Sequence, residues 1–367
     1  MSFIKFNNEQ KMILNEFRKF AVSEIEPKVE KIENEGTYPS SIVNNLAELG
    51  LLGLIIPENY GGVELDMTSL CIAVEEISKV SASIGAILVV NNCLVAYPLM
   101  KFGNESQKGK YLNKLAEGEI GGFVCKPEID LPEEQNDFKI EGENLIFTGH
   151  RNLVLNGETA EFSIFPIQTN ENEKYFILDN PHNGLSFSSK NLLGMRTAGF
   201  MEAGFDNVIL QDDFSFSVTE NNHSEIRDFS NIGFSAVSLG IAQAGLETSM
   251  KYANERIQFG KQIVHFSAIR DILAEMKIRI ESARLLVYDA ASKFDAGEDF
   301  SLQSKIARHV ASETAFWCGL NSIQVYGGYG YMKDYPLERY FRDSQVIQLL
   351  ETSPRALISE IADKILN

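Results

Sequence analysis

The sequence predicts an α+β multidomain protein: an N-terminal α-helical domain over 1–120, a small central β-sandwich or barrel over 121–226, and a C-terminal helical bundle over 227–367. Three observations carry this expectation. Apolar residues recur at every third and fourth position through about residue 120, alternate or gather in short runs from Gly121 to Asp213, and return to helical spacing beyond Asp228. Helical, then β, then helical texture, with no fixed-period repeat, packs most simply as a helical body built from both chain ends with a β domain between them.

The elements follow in order. Ile13, Phe17, Phe20, Ala21 and Ile25 form one helical face with a capped start at Asn8, and Pro27 is expected to kink or end it. Ser40 and Ser41 open a short helix through Leu46 and Leu49 that Gly50 closes. Met67 to Val80 and Ser81 to Phe102 are apolar nearly all round, which places them inside a bundle. Glu105 to Ala116 reads as a further helix. Strands are expected at Leu145–Thr148, Phe162–Ile167, Tyr175–Leu178 and Val208–Leu210, separated by Asn, Gly, Asp and Pro. Helices then resume at Phe229–Arg256, Ser267–Ala296, Ser301–Tyr326, Pro336–Gln348 and Arg355–Leu366.

Composition narrows the function. With 44% hydrophobic and 23% charged residues the chain is globular, neither disordered nor collagen-like nor mucin-like. A net charge of -18, with no basic patch, repels phosphate backbones and anionic lipid, so neither nucleic acid nor a membrane is an expected partner. No apolar run reaches the roughly 18 residues that span a bilayer, the stretch around Ile84 to Val90 falling short. Met1 to Gln10 lacks a basic segment followed by an apolar core, so a cytoplasmic location is expected. Cys71, Cys93, Cys125 and Cys318 are widely spaced, which points to reduced, buried thiols and no metal site.

Four segments are candidates for chemistry. Pro57-Glu58-Asn59-Tyr60-Gly61-Gly62 reads as a turn first and a ligand contact second. Glu255 to Lys261 ends a helix in Arg256, Phe259 and Gly260: a guanidinium beside a ring suits a pyrophosphate and a flat heterocycle, or else Arg256 simply complements a helix C-terminus. Gln324 to Tyr331 sets glycines among tyrosines, where the backbone can approach a flat ligand; alone, a glycine-rich loop is a weak signal. Glu351, between the apolar run Val346 to Leu350 and Thr352-Ser353, is either a surface residue heading the last helix or a desolvated carboxyl suited to general-base work.

Taken together and in this order, the segments resemble the acyl-CoA dehydrogenase family. Arg256 to Gln262 is similar to its R-x-x-F-G-K signature, and Gln324 to Asp343 to its Q-x-x-G-G-x-G-Y and E-R-x-x-R-D elements. The resemblance implies two helical domains, the C-terminal one a four-helix bundle, flanking a small β domain, with FAD between subunits of a homotetramer or homodimer. It implies Glu351 as the base that takes the α-proton of an acyl thioester while flavin takes the β-hydride. It implies cofactor contacts from Arg256, Phe259, Gln324 and Gly328 to a neighbouring subunit's FAD, and from Ser353, Cys125 and Leu153. Leu350 and Asn231 fall at substrate-side positions. In some members the base comes from the helix after the β domain, where this chain has Ser230.

Departures concentrate in the β domain. Cys125 to Leu131 stands in place of T-E-P-x-A-G-S-D, and the stacking Trp of the next motif is Leu153. An Arg of the following helix is Asn231, and Glu-Gly-Thr is Glu351-Thr352-Ser353. The expected function is FAD-dependent α,β-dehydrogenation of an acyl-CoA or acyl-carrier-protein thioester, with an electron-transferring flavoprotein or similar acceptor. The alternatives are a catalytically weak or flavin-free structural partner subunit, and a flavin oxidase or monooxygenase on the same fold.

Overall fold

The computed structural model describes residues 4–124, 137–141, 144–157, 159–168 and 173–366. Helix α1 (Asn8–Phe20) starts at the expected residue, with its cap one position earlier: Asn7 accepts from the Gln10 N–H while the Gln10 side chain reaches back to the Asn7 N–H. Pro27 follows the end of α1 at Phe20 and does not end the helical run. It lies in the first turn of α2 (Glu26–Glu35), and a π-helical turn over Ala21–Ile25 carries the chain across the position where Pro27 lacks a donor. The device recurs where α5 (Ala82–Val89) passes through a π turn at Val90–Ala96 into α6 (Tyr97–Phe102), with Pro98 just beyond; α3 (Ser40–Glu48) and α4 (Met67–Ser78) precede it, and α7 (Glu105–Ala116) follows. Ala82–Phe102 is thus one helix of 21 residues, long and apolar enough to cross a bilayer, contrary to the sequence expectation. Nearly all of it is buried, as befits a core helix.

The strands are β1 (Gly121–Val124), β2 (Asp137–Glu141), β3 (Asn144–Leu155), β4 (Phe162–Gln168), β5 (Glu173–Asp179), β6 (Leu185–Ser189), β7 (Met201–Leu210) and β8 (Ser215–Val218). They form one mixed sheet in the order β6-β7-β3-β1-β4-β5-β8, with β2 also on β3 and the β1–β4 pair parallel. The sheet curls on itself. Phe165 of β4 and Phe205 of β7 lie three strands apart in the order, which would separate them by about 14 Å in a flat sheet, yet their ring centroids are 4.9 Å apart. Phe147, Phe165, Phe176, Leu178 and Val208 fill this inner core, while the alternate residues Phe162, Ile164, Tyr175 and Ile177 face the helices and join the main core.

Helix α8 (Glu220–Glu255) begins nine residues before the expected start at Phe229, because Thr219 caps it and its first turns are polar, which hides the period. Then come the hairpin β9 (Ile257–Gln258) and β10 (Lys261–Gln262), and the helices α9 (Ser267–Asp295), α10 (Ser301–Tyr326), α11 (Leu337–Leu349) and α12 (Pro354–Leu366). The main core runs from Phe17 to Leu350, so both chain ends and one face of the sheet share a single apolar interior.

Candidate active site

The site is built where α11 meets α12. Leu350, 2% exposed, caps α11 in an extended conformation. At Glu351 the backbone turns with φ +64°, and the Thr352 N–H donates to the Leu350 carbonyl at 2.8 Å. This is a γ-turn of positive φ, which for a residue with a Cβ stores on the order of 1–3 kcal/mol of strain. Ser353 Oγ then accepts from the Ala356 N–H at 3.2 Å, capping α12 and fixing the far side of the turn.

The turn carries the Glu351 carboxyl inward, leaving it 7% exposed, against α8 and α10. Ser230 Oγ of α8 lies 2.6 Å from Glu351 Oε2 and 2.9 Å from the Arg227 carbonyl oxygen. Arg308 of α10, 1% exposed, donates through Nη2 to the carbonyls of Ile347 and Leu350, tying both ends of the last turn of α11, and its guanidinium lies 5.2 Å from the Phe234 ring centroid. Burial pushes the Glu351 carboxyl above its ordinary range. The Ser230 hydrogen bond and the positive fields of Arg308 and Arg227 pull it back only in part.

A second cluster lies at the other end of α8. Arg256, Phe259, Gln324 and Gly328 line one cleft of about 510 Å³, together with Tyr252, Tyr326, Tyr329 and Met332. Tyr252 and Tyr326 stack at 3.9 Å and 16°, and the Arg256 guanidinium lies 5.4 Å from the Tyr329 ring centroid. Gly327 has φ 61° and ψ -133°, a conformation open essentially to glycine alone. A Cβ on Gly327 or Gly328 would meet nothing within 4 Å, so the loop backbone fronts open space. Phe259 and Gly260 turn the β9–β10 hairpin with positive φ at both positions, and Phe259 projects 92% exposed.

The structure therefore groups the ten sequence candidates unevenly. Glu351 and Leu350 share the inner turn, with Asn231 buried beside Ser230 on α8. Arg256, Phe259, Gln324 and Gly328 share the outer cleft. Ser353 serves as a helix cap, and Leu153 is half-buried against the main core where two residues of β3 oppose one of β7, a β-bulge. Cys125, and the segment to Leu131, lie outside the described residues. Pro57 to Gly62 is a turn: a Cβ on Gly62 would lie 2.0 Å from the Ile56 carbonyl oxygen. Sequence reasoning missed Arg308. The signal was present in Lys305 and Arg308 at inward positions among Ser304, Ala307 and Ala311 of α10.

Helical layers around a curled sheet, with a buried carboxyl at their junction, define a class that comparison resolves. Family models described as "Acyl-CoA dehydrogenase, N-terminal domain" and "Acyl-CoA dehydrogenase, C-terminal domain" match residues 7–119 and 228–366. An "Acyl-CoA dehydrogenase" of Bacillus subtilis is 34% identical over 94% of each chain. The solved butyryl-CoA dehydrogenase of Megasphaera elsdenii superposes with a TM-score of 0.93 at 29% identity, covering 99% of this chain and 100% of its own. A chain in the structure reported as "Electron transferring flavoprotein of Acidaminococcus fermentans" gives a TM-score of 0.94 at 31% identity, covering 100% of both chains. The chain belongs to the acyl-CoA dehydrogenase family and is an oxidoreductase.

Proposed function

We propose that the protein is an FAD-dependent dehydrogenase that introduces an α,β double bond into an acyl thioester, with Glu351 as its general base. The observation that carries this is the carboxyl itself: buried, held on a strained turn, and raised toward the working range of a base. Glu351 takes the α-proton as the Cα–H bond breaks, and its electron pair becomes the Cα–Cβ π bond. FAD, when bound, supplies the acceptor for the hydrogen that leaves Cβ with its electron pair. Leu350 and Asn231, both buried, are the residues we assign to the acyl side.

The residues of the outer cleft fit the adenosine diphosphate end of FAD: a guanidinium for the pyrophosphate, tyrosine rings, and exposed glycine backbone for the adenine. Arg256, Phe259, Gln324 and Gly328 would hold it there, in our reading from a neighbouring subunit of a homotetramer or homodimer. Ser353, Leu153 and Cys125 complete the proposed cofactor set. An electron-transferring flavoprotein or similar acceptor would be the electron partner, and the substrate an acyl-CoA or acyl-carrier-protein thioester.

The test is Glu351→Gln: turnover with short acyl-CoAs should fall by about a thousandfold, within the usual span for a lost general base, while flavin stays bound. Turnover within tenfold of the parent sinks the assignment. Leu153, an aliphatic residue at a bulge where a stacking ring is expected, favours the second reading, a flavin-free structural partner subunit. A visible spectrum of the purified protein with about one flavin released per subunit removes that reading.

A further inference from the structure

Glu351 needs a partner in both of its protonation states, because a buried carboxyl left unpaired in either is costly. The neighbours set by packing are few. Arg308 of α10 spends Nη2 on the Ile347 and Leu350 carbonyls, and Arg227 of α8 pairs with Glu360 of α12 at 2.8 Å. Cys93, on the π turn between α5 and α6, and Tyr175 of β5 add further titratable groups within electrostatic range, and both are buried. Ser230 is the neighbour with a hydrogen bond to the carboxyl itself, at 2.6 Å, and it has a second acceptor, the Arg227 carbonyl, at 2.9 Å. A hydroxyl carries one proton and cannot donate to both at once.

We propose that Ser230 is the positioning residue of the base, a two-position hydroxyl that donates to the Glu351 carboxylate before proton abstraction and turns to the Arg227 carbonyl afterwards. This rests on the reading of Glu351 as base. In the first state the Ser230 O–H holds Oε2, leaving Oε1 for the substrate. Once Glu351 has taken the α-proton it is a neutral acid with a donor of its own. The carboxyl turns about its Cγ–Cδ bond to bring this O–H to Ser230, whose Oγ accepts from it while its own proton points to Arg227 O. The abstracted proton stays on Glu351, and the carboxyl oxygen facing Ser230 keeps a hydrogen-bond partner in both states. The position on α8 suits this because Ser230 has no competing role: it is fully buried, and both its polar neighbours lie within 3 Å.

The experiment compares the pH dependence of kcat and of the Glu351 carboxyl infrared band in wild type, Ser230→Ala, Ser230→Thr and Ser230→Cys, with the band identified by its loss in Glu351→Gln. Removing the donor to the charged form should move the acid limb and the band midpoint upward by about one pH unit, a tenfold change in proton affinity. Threonine, which keeps the hydroxyl, should restore wild-type midpoints, and cysteine, a weaker donor, should fall between. Midpoints in Ser230→Ala and Ser230→Cys that coincide with wild type overturn the proposal for Ser230 alone. Turnover retained in Glu351→Gln overturns the base assignment beneath it, so the two failures are distinguishable.

Discussion

If Glu351 is the base proposed above, its burial makes opposite demands on activity and stability. A carboxyl whose native titration is raised binds its proton more tightly folded than unfolded. Stability is then greatest while the group is protonated, and it falls as pH rises from the ordinary carboxyl range through the raised native value. On the proposed reading of Glu351 as base, activity runs the other way, since only the ionised form would accept the α-proton. Glu351→Gln, which is permanently neutral, should therefore melt above wild type at pH 8, with the gap closing as pH falls toward 4; thermal melts across that range check it. A variant that is both inactive and more stable is the usual mark of a side chain kept for chemistry at the expense of the fold.

Elements decide where such residues can stand. The turn after α3 brings Gly62 against Ile56 so closely that a Cβ would stand 2.0 Å from the carbonyl oxygen, and backbone must move to admit any side chain. Gly62→Ala should cost about 1–3 kcal/mol in denaturant unfolding with catalysis per folded molecule unchanged. Asp343 of α11 is the corresponding junction between layers: it accepts from the Met195 N–H at 2.7 Å, and Glu33 of α2 contributes a second buried carboxyl. Burial first and the Glu33 charge next push Asp343 up to about 7, against the pull of the Met195 N–H, Arg339 and Arg342. The sign is again that of a raised acid. Wild-type stability should fall as pH rises from about 4 to about 7, and Asp343→Asn should flatten that fall, as read from melting temperature against pH.

At the scale of the whole molecule, the outer cleft gathers a bare aromatic, an open glycine loop and a guanidinium on one face of the helical body. Phe259, 92% exposed with φ +50°, is an aromatic in a conformation that disfavours it. Phe259→Gly should leave the melting of the flavin-free chain unchanged or raise it by relieving about 1 kcal/mol of left-handed strain. It should also lower flavin retention and weaken association between subunits, as released flavin and sedimentation velocity report. A chain with unchanged flavin content and assembly would count against the neighbouring-subunit role. By itself the sequence determined the helical, β, helical order, most helix limits in the C-terminal half, and the residue types of both clusters, because amphipathic period, glycines and charged side chains are local signals. It misplaced the start of α8, whose polar first turns carry no period, and it did not foresee the π turn that carries the helical run from α1 to Pro27. Only the tertiary structure decided that the sheet curls into one piece, that Arg308 ties the end of α11, and that Ser230 and Glu351, 121 residues apart, share a proton's distance. Those are facts of packing between distant segments, where burial and the pairing of buried polar atoms outweigh local preference.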